Sequence, residues 1–259
     1  MATGIRKVGE FCWVNILTSQ PSEAMEFFAT VLGWTFYEMP PFGHGVQVGG
    51  RDIGGLFDLN GPGCPPGLPP VIGVTVKVDN ADAACEKIRS LGGKAEPAFD
   101  IADHGRMAVC HDPNGGAFDI WQPITKPGTD ADSSLPGAPS WSESLTTDVA
   151  RATEFYNKMF GWTAEVKQMP GMEYTVFRHG GIDIAGLMAI PHPDIPPHWG
   201  TYFTVKDADE AARVAQELGG KLFVPPMDIP EIGRFCGIMS PQGVRFCAIQ
   251  YLPRQAAAS

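Results

Sequence analysis

Apolar and polar positions alternate with period two along Phe11–Thr18 (FCWVNILT), and then the period changes. From Ala24 onward the apolar residues Ala24, Phe27, Phe28, Val31 and Leu32 recur at the three-and-four spacing of a helical stripe. The pattern predicts a strand followed by a helix, with a cap-like cluster at Ser19–Ser22 and Gly33 placed as the C-cap. Short strands are predicted around TFYEM, GVQVGG and DIGGLFDL. GPGCPPGLPP is a Pro/Gly loop, too interrupted to make a strand. The same grammar then returns. VIGVTVKV reads as a strand, NADAACEKIRSLGG as a capped helix ending in Gly, and KAEPAFDI, RMAVCHD and GAFDIWQ as strands, with a DPNGG turn between the last two.

This whole arrangement is written twice. SWSESLTTDVARATEFYNKMFGWT, from Ser140, repeats CWVNILTSQPSEAMEFFATVLGWT, from Cys12; Trp141 matches Trp13 (141 − 13 = 128) and the Gly-Trp-Thr ending recurs. A period that long marks a duplicated domain, since solenoid repeats run to about 20–50 residues. The expected organisation is one module at 8-123, a Pro/Gly/Ser-rich linker at 124-137, a second module at 138-252 and a frayed RQAAAS tail. Each module holds two strand–helix–three-strand units, so the chain has four. The expected fold is α+β, with curved mixed sheets whose helices cover the convex side and whose concave side forms a cup. If Val14 and Ile16 face the helix, strand parity sends Phe11, Trp13, Asn15 and Leu17 into the cup, and Trp141, Glu143 and Leu145 in the second copy. Thr75, Asp119 and Tyr202 share that parity.

Composition narrows the functional classes. The formal net charge is −10, which argues against nucleic acid and anionic membrane surfaces as partners, because both require clustered Lys and Arg. No run of about 18 apolar residues occurs, and the amino terminus MATGIRKVGE lacks an apolar targeting core. The six cysteines form no Cys-x-x-Cys pair. Free thiols fit a reducing cytoplasm, the expected location. The chain is expected to act as a monomer or weak homodimer on a small-molecule ligand.

Fourfold strand–helix–three-strand grammar, VTVKVDNADAACEKIRSLGGK and DPNGGAFDIWQP together resemble the vicinal oxygen chelate superfamily, which includes glyoxalases, extradiol dioxygenases and bleomycin-resistance proteins. PAFDIADHGRMAV, its partner PPMDIPEIGRFCGI and the two tryptophan strands resemble the tandem glyoxalase-like proteins of actinobacteria, such as the mycobacterial culture-filtrate antigen family. The resemblance implies a divalent metal held by His, Glu or Gln at four strand positions. Carried onto this chain, those positions are Trp13, Gly73, Asp119 and Gly54 or Gly55 in the first copy. In the second they are Trp141, Gly200, Cys247 and Ala185 or Gly186. A hard cation needs several converging N or O ligands, and one carboxylate does not make a site, so no metal and no cofactor are expected. The six histidines miss these positions; His198 lies nearest, and a backbone-bonded role at a loop end is favoured for it. His104 and His111 are expected to be solvated.

An indole where the resemblance implies a ligand suits a flat or hydrophobic guest, although Trp13 and Trp141 equally fit a role as core filler. Arg106 and Arg234 recur at equivalent places, each after a Gly. They suit either a clamp on an anionic ligand or ion pairs with Asp100 and Asp228. Glu143 and Asp119 would share one cup only if half-modules from different copies paired. The favoured reading is metal-independent binding of a small aromatic or conjugated molecule, of antibiotic or secondary-metabolite type. The alternative is a lyase, isomerase or hydroxylase-type enzyme acting on a small aldehyde or natural product; whether any reaction is catalysed stays open at this level.

Overall fold

A computed structural model describes residues 2–61, 64, 67–169 and 171–253. The predicted tail and residues 62, 63, 65 and 66 of the Pro/Gly loop lie outside the described residues. The first copy runs β1 (Phe11–Thr18), α1 (Pro21–Leu32), β2 (Thr35–Met39), β3 (Gly43–Val48) and β4 (Arg51–Asp58). It continues with β5 (Val71–Lys77), α2 (Ala81–Ser90), β6 (Lys94–Ala95), β7 (Phe99–Ile101), β8 (Gly105–His111) and β9 (Ala117–Pro123). The second copy runs β10 (Pro139–Thr146), α3 (Val149–Phe160), β11 (Thr163–Met169), β12 (Met172–His179) and β13 (Ile182–Ala189). It ends with β14 (His198–Thr204), α4 (Ala208–Glu217), β15 (Lys221–Ile229), β16 (Gly233–Met239) and β17 (Arg245–Tyr251).

Local chemistry accounts for most boundaries. Gly33 and Gly161 end α1 and α3 in the left-handed region, at φ 70° in both, where a side chain would be strained. Asn80, Asp148 and Asp207 cap α2, α3 and α4, each accepting from a backbone N–H three residues on. The cap-like cluster before α1 works differently: Gln20 occupies the N-cap without a side-chain bond, and Pro21 opens the helix. KAEPAFDI does not form one strand. Pro97 falls between β6 and β7, whereas the matching segment stays continuous as β15 because register shifts absorb its prolines.

Each copy closes its own mixed sheet. The first is ordered β2-β3-β4-β1-β5-β9-β8-β6, with β7 paired to β8; the second is ordered β11-β12-β13-β10-β14-β17-β16-β15. β1 runs parallel to β4 and antiparallel to β5, so it joins the two halves of its copy. Asp119 and Glu143 therefore lie on different sheets and do not share a cup.

The helices behave otherwise, because they pack across copies. One core joins β1, β3, β4 and α1 of the first copy to α4, β16 and β17 of the second, with Phe28, Trp34, Phe203 and Phe246 at its centre. The other joins α2, β8 and β9 of the first copy to α3, β12 and β13 of the second around Phe118, Tyr156 and Trp162. Buried polar bonds fix this second junction. The Tyr156 hydroxyl donates to Asp112 Oδ2 at 2.9 Å and accepts from Trp199 Nε1 at 2.8 Å, and Trp162 Nε1 donates to the Gly9 carbonyl at 2.7 Å. Full burial of one such aromatic or aliphatic side chain contributes about 1.5–3 kcal/mol, so neither copy retains its core alone.

The connection at 124-137 is built into this seam despite its Pro, Gly and Ser content. Thr129, Ala131 and Ser133 are buried. Thr129 bonds the Cys12 carbonyl, Arg6 donates to the Ala131 carbonyl at 2.7 Å, and Gly137 accepts from Trp34 Nε1 at 2.8 Å.

Candidate functional site

Strand parity brings Trp13 and Asn15 of β1 and Thr75 of β5 onto one concave surface, where Trp13 lies beside Thr75 and Thr75 beside Asp119 in the sheet register. Phe11 does not join them. A register shift between Phe11 and Trp13 turns its ring to the other side, against Trp162 and Trp199 at 5.5 and 5.2 Å. The wall is completed by Phe57, Met107 and Trp121 and by the polar group Tyr37, Asp52 and Lys126. The cavity volume is about 80 Å³, at the base of a concavity that is half open to solvent.

The polar floor is a small network. Asn15 Nδ2 donates to Thr75 Oγ1 and to Asp119 Oδ2, both at 3.1 Å. Burial pushes the Asp119 carboxyl up to about 6, against the opposing hydrogen bond from Asn15. The unfolded chain releases this proton near pH 4 and the folded chain near pH 6. The native state therefore loses stability relative to the unfolded as pH rises through that window, and the contribution is fully present only below it. Asp119→Asn keeps an acceptor for Asn15 and removes the titration. Urea unfolding is expected to show the variant gaining about 1–2 kcal/mol on the wild type between pH 4 and pH 7; parallel pH profiles would show that Asp119 is not buried as described.

The second cup has the same frame and different contents. Glu143 of β10 occupies the place of Asn15, Tyr202 that of Thr75, and Cys247 that of Asp119. Glu143 accepts from the hydroxyls of Tyr174 at 2.7 Å and Tyr202 at 3.0 Å, and Trp141 Nε1 donates to the Tyr174 oxygen at 2.9 Å. Burial raises the Glu143 carboxyl above its ordinary range, and the two phenols hold it back. Tyr202 and Cys247 are buried with Ile249, and Trp141, Phe235 and Tyr251 pack on them. Trp141 is half-buried, as Trp13 is, but it packs on this network, whereas Trp13 borders the open concavity.

The paired arginines lie elsewhere. Even-numbered positions of β8 face the helix, so Arg106 turns away from the cup and binds Asp100 at 2.6 Å and Asp82 of α2 at 3.2 Å. Arg234 repeats this with Asp228 at 3.0 Å and Asp209 of α4 at 2.7 Å. Neither is placed to clamp a ligand in a cup. His198 Nδ1 lies 2.8 Å from the Pro196 carbonyl, a local backbone bond. His104, expected to be solvated, instead lines the first cup. Sequence reading also passed over Tyr37, Asp52 and Lys126. Lys126 sits in the Pro/Gly-rich connection, and only the places of Tyr37 and Asp52 on predicted strands gave any signal.

In the first copy the positions at which the superfamily resemblance implies metal ligands hold an indole, side-chain-free glycines and one carboxylate already bonded by Asn15; in the second they hold an indole, glycine or alanine and the Cys247 thiol. Among the described residues no group of three or more His, Cys, Asp or Glu is arranged to hold a metal ion. The donor set does not fit a divalent cation. Elemental analysis of protein purified without chelator is expected to show no stoichiometric Zn, Ni, Fe or Mn; one metal per chain would overturn this.

The comparisons agree with the frame. CFP32 of Mycobacterium tuberculosis, provisionally named a glyoxylase, is 35% identical over 250 residues, covering 94% of this chain and 95% of its own. The anthracycline biosynthesis protein DnrV of Streptomyces peucetius is 27% identical over 267 residues, covering 97% and 96%. Among solved structures, the Mn(II)-bound glyoxalase of Novosphingobium aromaticivorans superposes with a TM-score of 0.65 at 14% identity, over 95% of this chain and 83% of that one. A catechol 2,3-dioxygenase gives 0.64 at 14% identity, over 96% and 91%. At that identity the likeness is one of fold. No described helix is long and apolar enough to cross a membrane. The family model matches residues 11–120 and 142–248, and with the duplicated sheets and the relatives it places this chain in the glyoxalase/bleomycin resistance protein/dioxygenase superfamily.

Proposed function

We propose that this protein binds one flat aromatic or conjugated small molecule in the first cup, without a bridging metal. The observation that carries the reading is the contrast between the cups. Trp13, Phe57 and Trp121 border open space in the first, while in the second Glu143 is tied to the Tyr174 and Tyr202 hydroxyls and Trp141 packs on Tyr202. Aromatic walls in a half-open apolar site favour a planar guest. The relationship to a protein named for anthracycline biosynthesis supports a polycyclic product or intermediate of that kind. Titration of tryptophan fluorescence with a soluble fused-ring arene tests it. One saturable site per chain is expected; two equal sites, or none, would overturn it.

A second reading rests on Asp119. A carboxyl raised to about 6 and bonded to Asn15 of the cup lining is suited to accept or donate a proton near neutral pH, as in a lyase or isomerase acting on a small aldehyde or natural product. In that case turnover would follow a midpoint near pH 6 and disappear in Asp119→Asn, while ligand binding remained.

A further inference from the structure

The polar wall of the first cup is built from parts far apart in sequence. Lys126 comes from the connection between the copies, yet its backbone is pinned. Its N–H and those of Ile124 and Thr125 donate to the His104 carbonyl at 2.9–3.1 Å, and its own carbonyl accepts from Trp121 Nε1 at 2.9 Å. The ammonium is thereby held on the cup wall, 2.8 Å from Asp52 Oδ2 and 6.0 Å from the centre of the Tyr37 ring. Gln47 Nε2 donates to the other Asp52 oxygen at 2.8 Å. Both Asp52 oxygens are thus engaged; Tyr37 also bonds Asp52 and Lys126, so of the three N–H donors of an ammonium one is left for a guest. What this wall offers a guest is chiefly donors. The Asp52–Lys126 pair is formally neutral, so it calls for an oxygen acceptor on the guest and not for a full counter-charge. A hydrogen bond from a charged donor is stronger than a neutral one and directional, while the aromatic walls select shape without regard to edge chemistry.

Resting on the binding reading above, we infer that Lys126 is a specificity-determining residue of the first cup. It selects planar aromatic ligands that carry an oxo or hydroxy oxygen on the ring edge over bare arenes of the same shape. Asp52 and Gln47 are positioning residues that hold the ammonium toward the guest. The second copy has no part in this recognition, since Lys126 belongs to the connection.

A matched pair of probes tests the assignment: anthraquinone-2-sulfonate and anthracene-2-sulfonate share size, planarity and charge and differ in two ring carbonyls. Dissociation constants are read from quenching of tryptophan fluorescence. The wild type is expected to bind the quinone about tenfold more tightly, the ratio that one hydrogen bond to a charged donor supplies. Lys126→Met keeps the aliphatic stem and should erase the preference, leaving anthracene-2-sulfonate within about twofold of wild type. Asp52→Asn/Lys126→Met removes both charges together and should give the same result if the single variant folds poorly. Equal binding of the two probes by the wild type overturns the assignment while leaving the binding reading intact. So does a preference that survives in both variants. If Lys126→Met weakens both probes alike, the ammonium senses the sulfonate and the assignment falls. Absence of binding by either probe takes down the binding reading and this inference with it.

Discussion

Replacing Trp13 by alanine is expected to raise the dissociation constant for a planar aromatic ligand roughly five- to thirtyfold, while Trp141→Ala leaves it within about twofold. The two indoles sit at equivalent positions of β1 and β10, so the sequence alone makes them interchangeable. Their surroundings differ. Trp13 borders the open first cup beside Thr75. Trp141 donates its Nε1–H to Tyr174 and packs on Tyr202, Cys247 and Ile249. Losing an aromatic face that contacts the guest removes about 0.5–1.5 kcal/mol of ring interaction plus its share of buried area, about 1–2 kcal/mol together. Fluorescence titration of both variants, with circular dichroism to confirm folding, decides the matter. Equal loss in both would mean that the second cup also binds. Wild-type affinity in Trp13→Ala would make that indole core filler.

The second large effect concerns stability. Tyr174→Phe is expected to cost about 2–4 kcal/mol in urea unfolding, or roughly 5–15 °C in Tm for a chain of this size. One hydroxyl serves two half-buried partners. It donates to Glu143 and accepts from Trp141, so its loss leaves an indole N–H unpaired and removes one of the two phenols that hold the Glu143 carboxyl. Tyr202→Phe should cost less, because losing that hydroxyl leaves no indole N–H unpaired: its partners are Glu143 and the weaker-bonding Cys247 thiol. Neither change should alter ligand affinity in the first cup. A cost below about 0.5 kcal/mol for Tyr174→Phe would mean that water takes over both of the hydroxyl's hydrogen bonds in the second cup.

Much of the architecture was legible because period and repeat point the same way. The switch from two to three-and-four spacing along Phe11–Leu32, repeated from Trp141, fixes the order of elements and the parity of the cup strands. The pairing of half-modules was not legible. Apolar stripes on four helices state that each helix must be covered, and no stripe names its partner; the sheets pair within a copy while α1 meets α4 and α2 meets α3 across copies. Phe11 was misdirected by a bulge that has no mark in the sequence. The arginines needed the parity of β8 and β16 to be placed on the helix side, where Asp82 and Asp209 also reach them. Lys126 was hidden by composition, since a Pro/Gly/Ser-rich stretch reads as solvated and here is pinned to His104 and Trp121. The divergence of the second cup was visible in part: Tyr202 stands where the first copy has Thr75, a change from a small to a large side chain at one register position.

The reciprocal helix packing has a consequence for how such a molecule changes over generations. The first helix of each copy meets the second helix of the other, which is the contact that two identical single modules would make around a twofold axis. In such a pair every mutation is made twice. A tyrosine that plugged one concavity would plug both, and the assembly would trade its binding capacity for stability in a single step. Joining the modules through the pinned connection breaks that obligation. One half is free to tie up its concave face, as Glu143 and its phenols do, while the other stays open and is tuned by a lysine that the junction itself contributed.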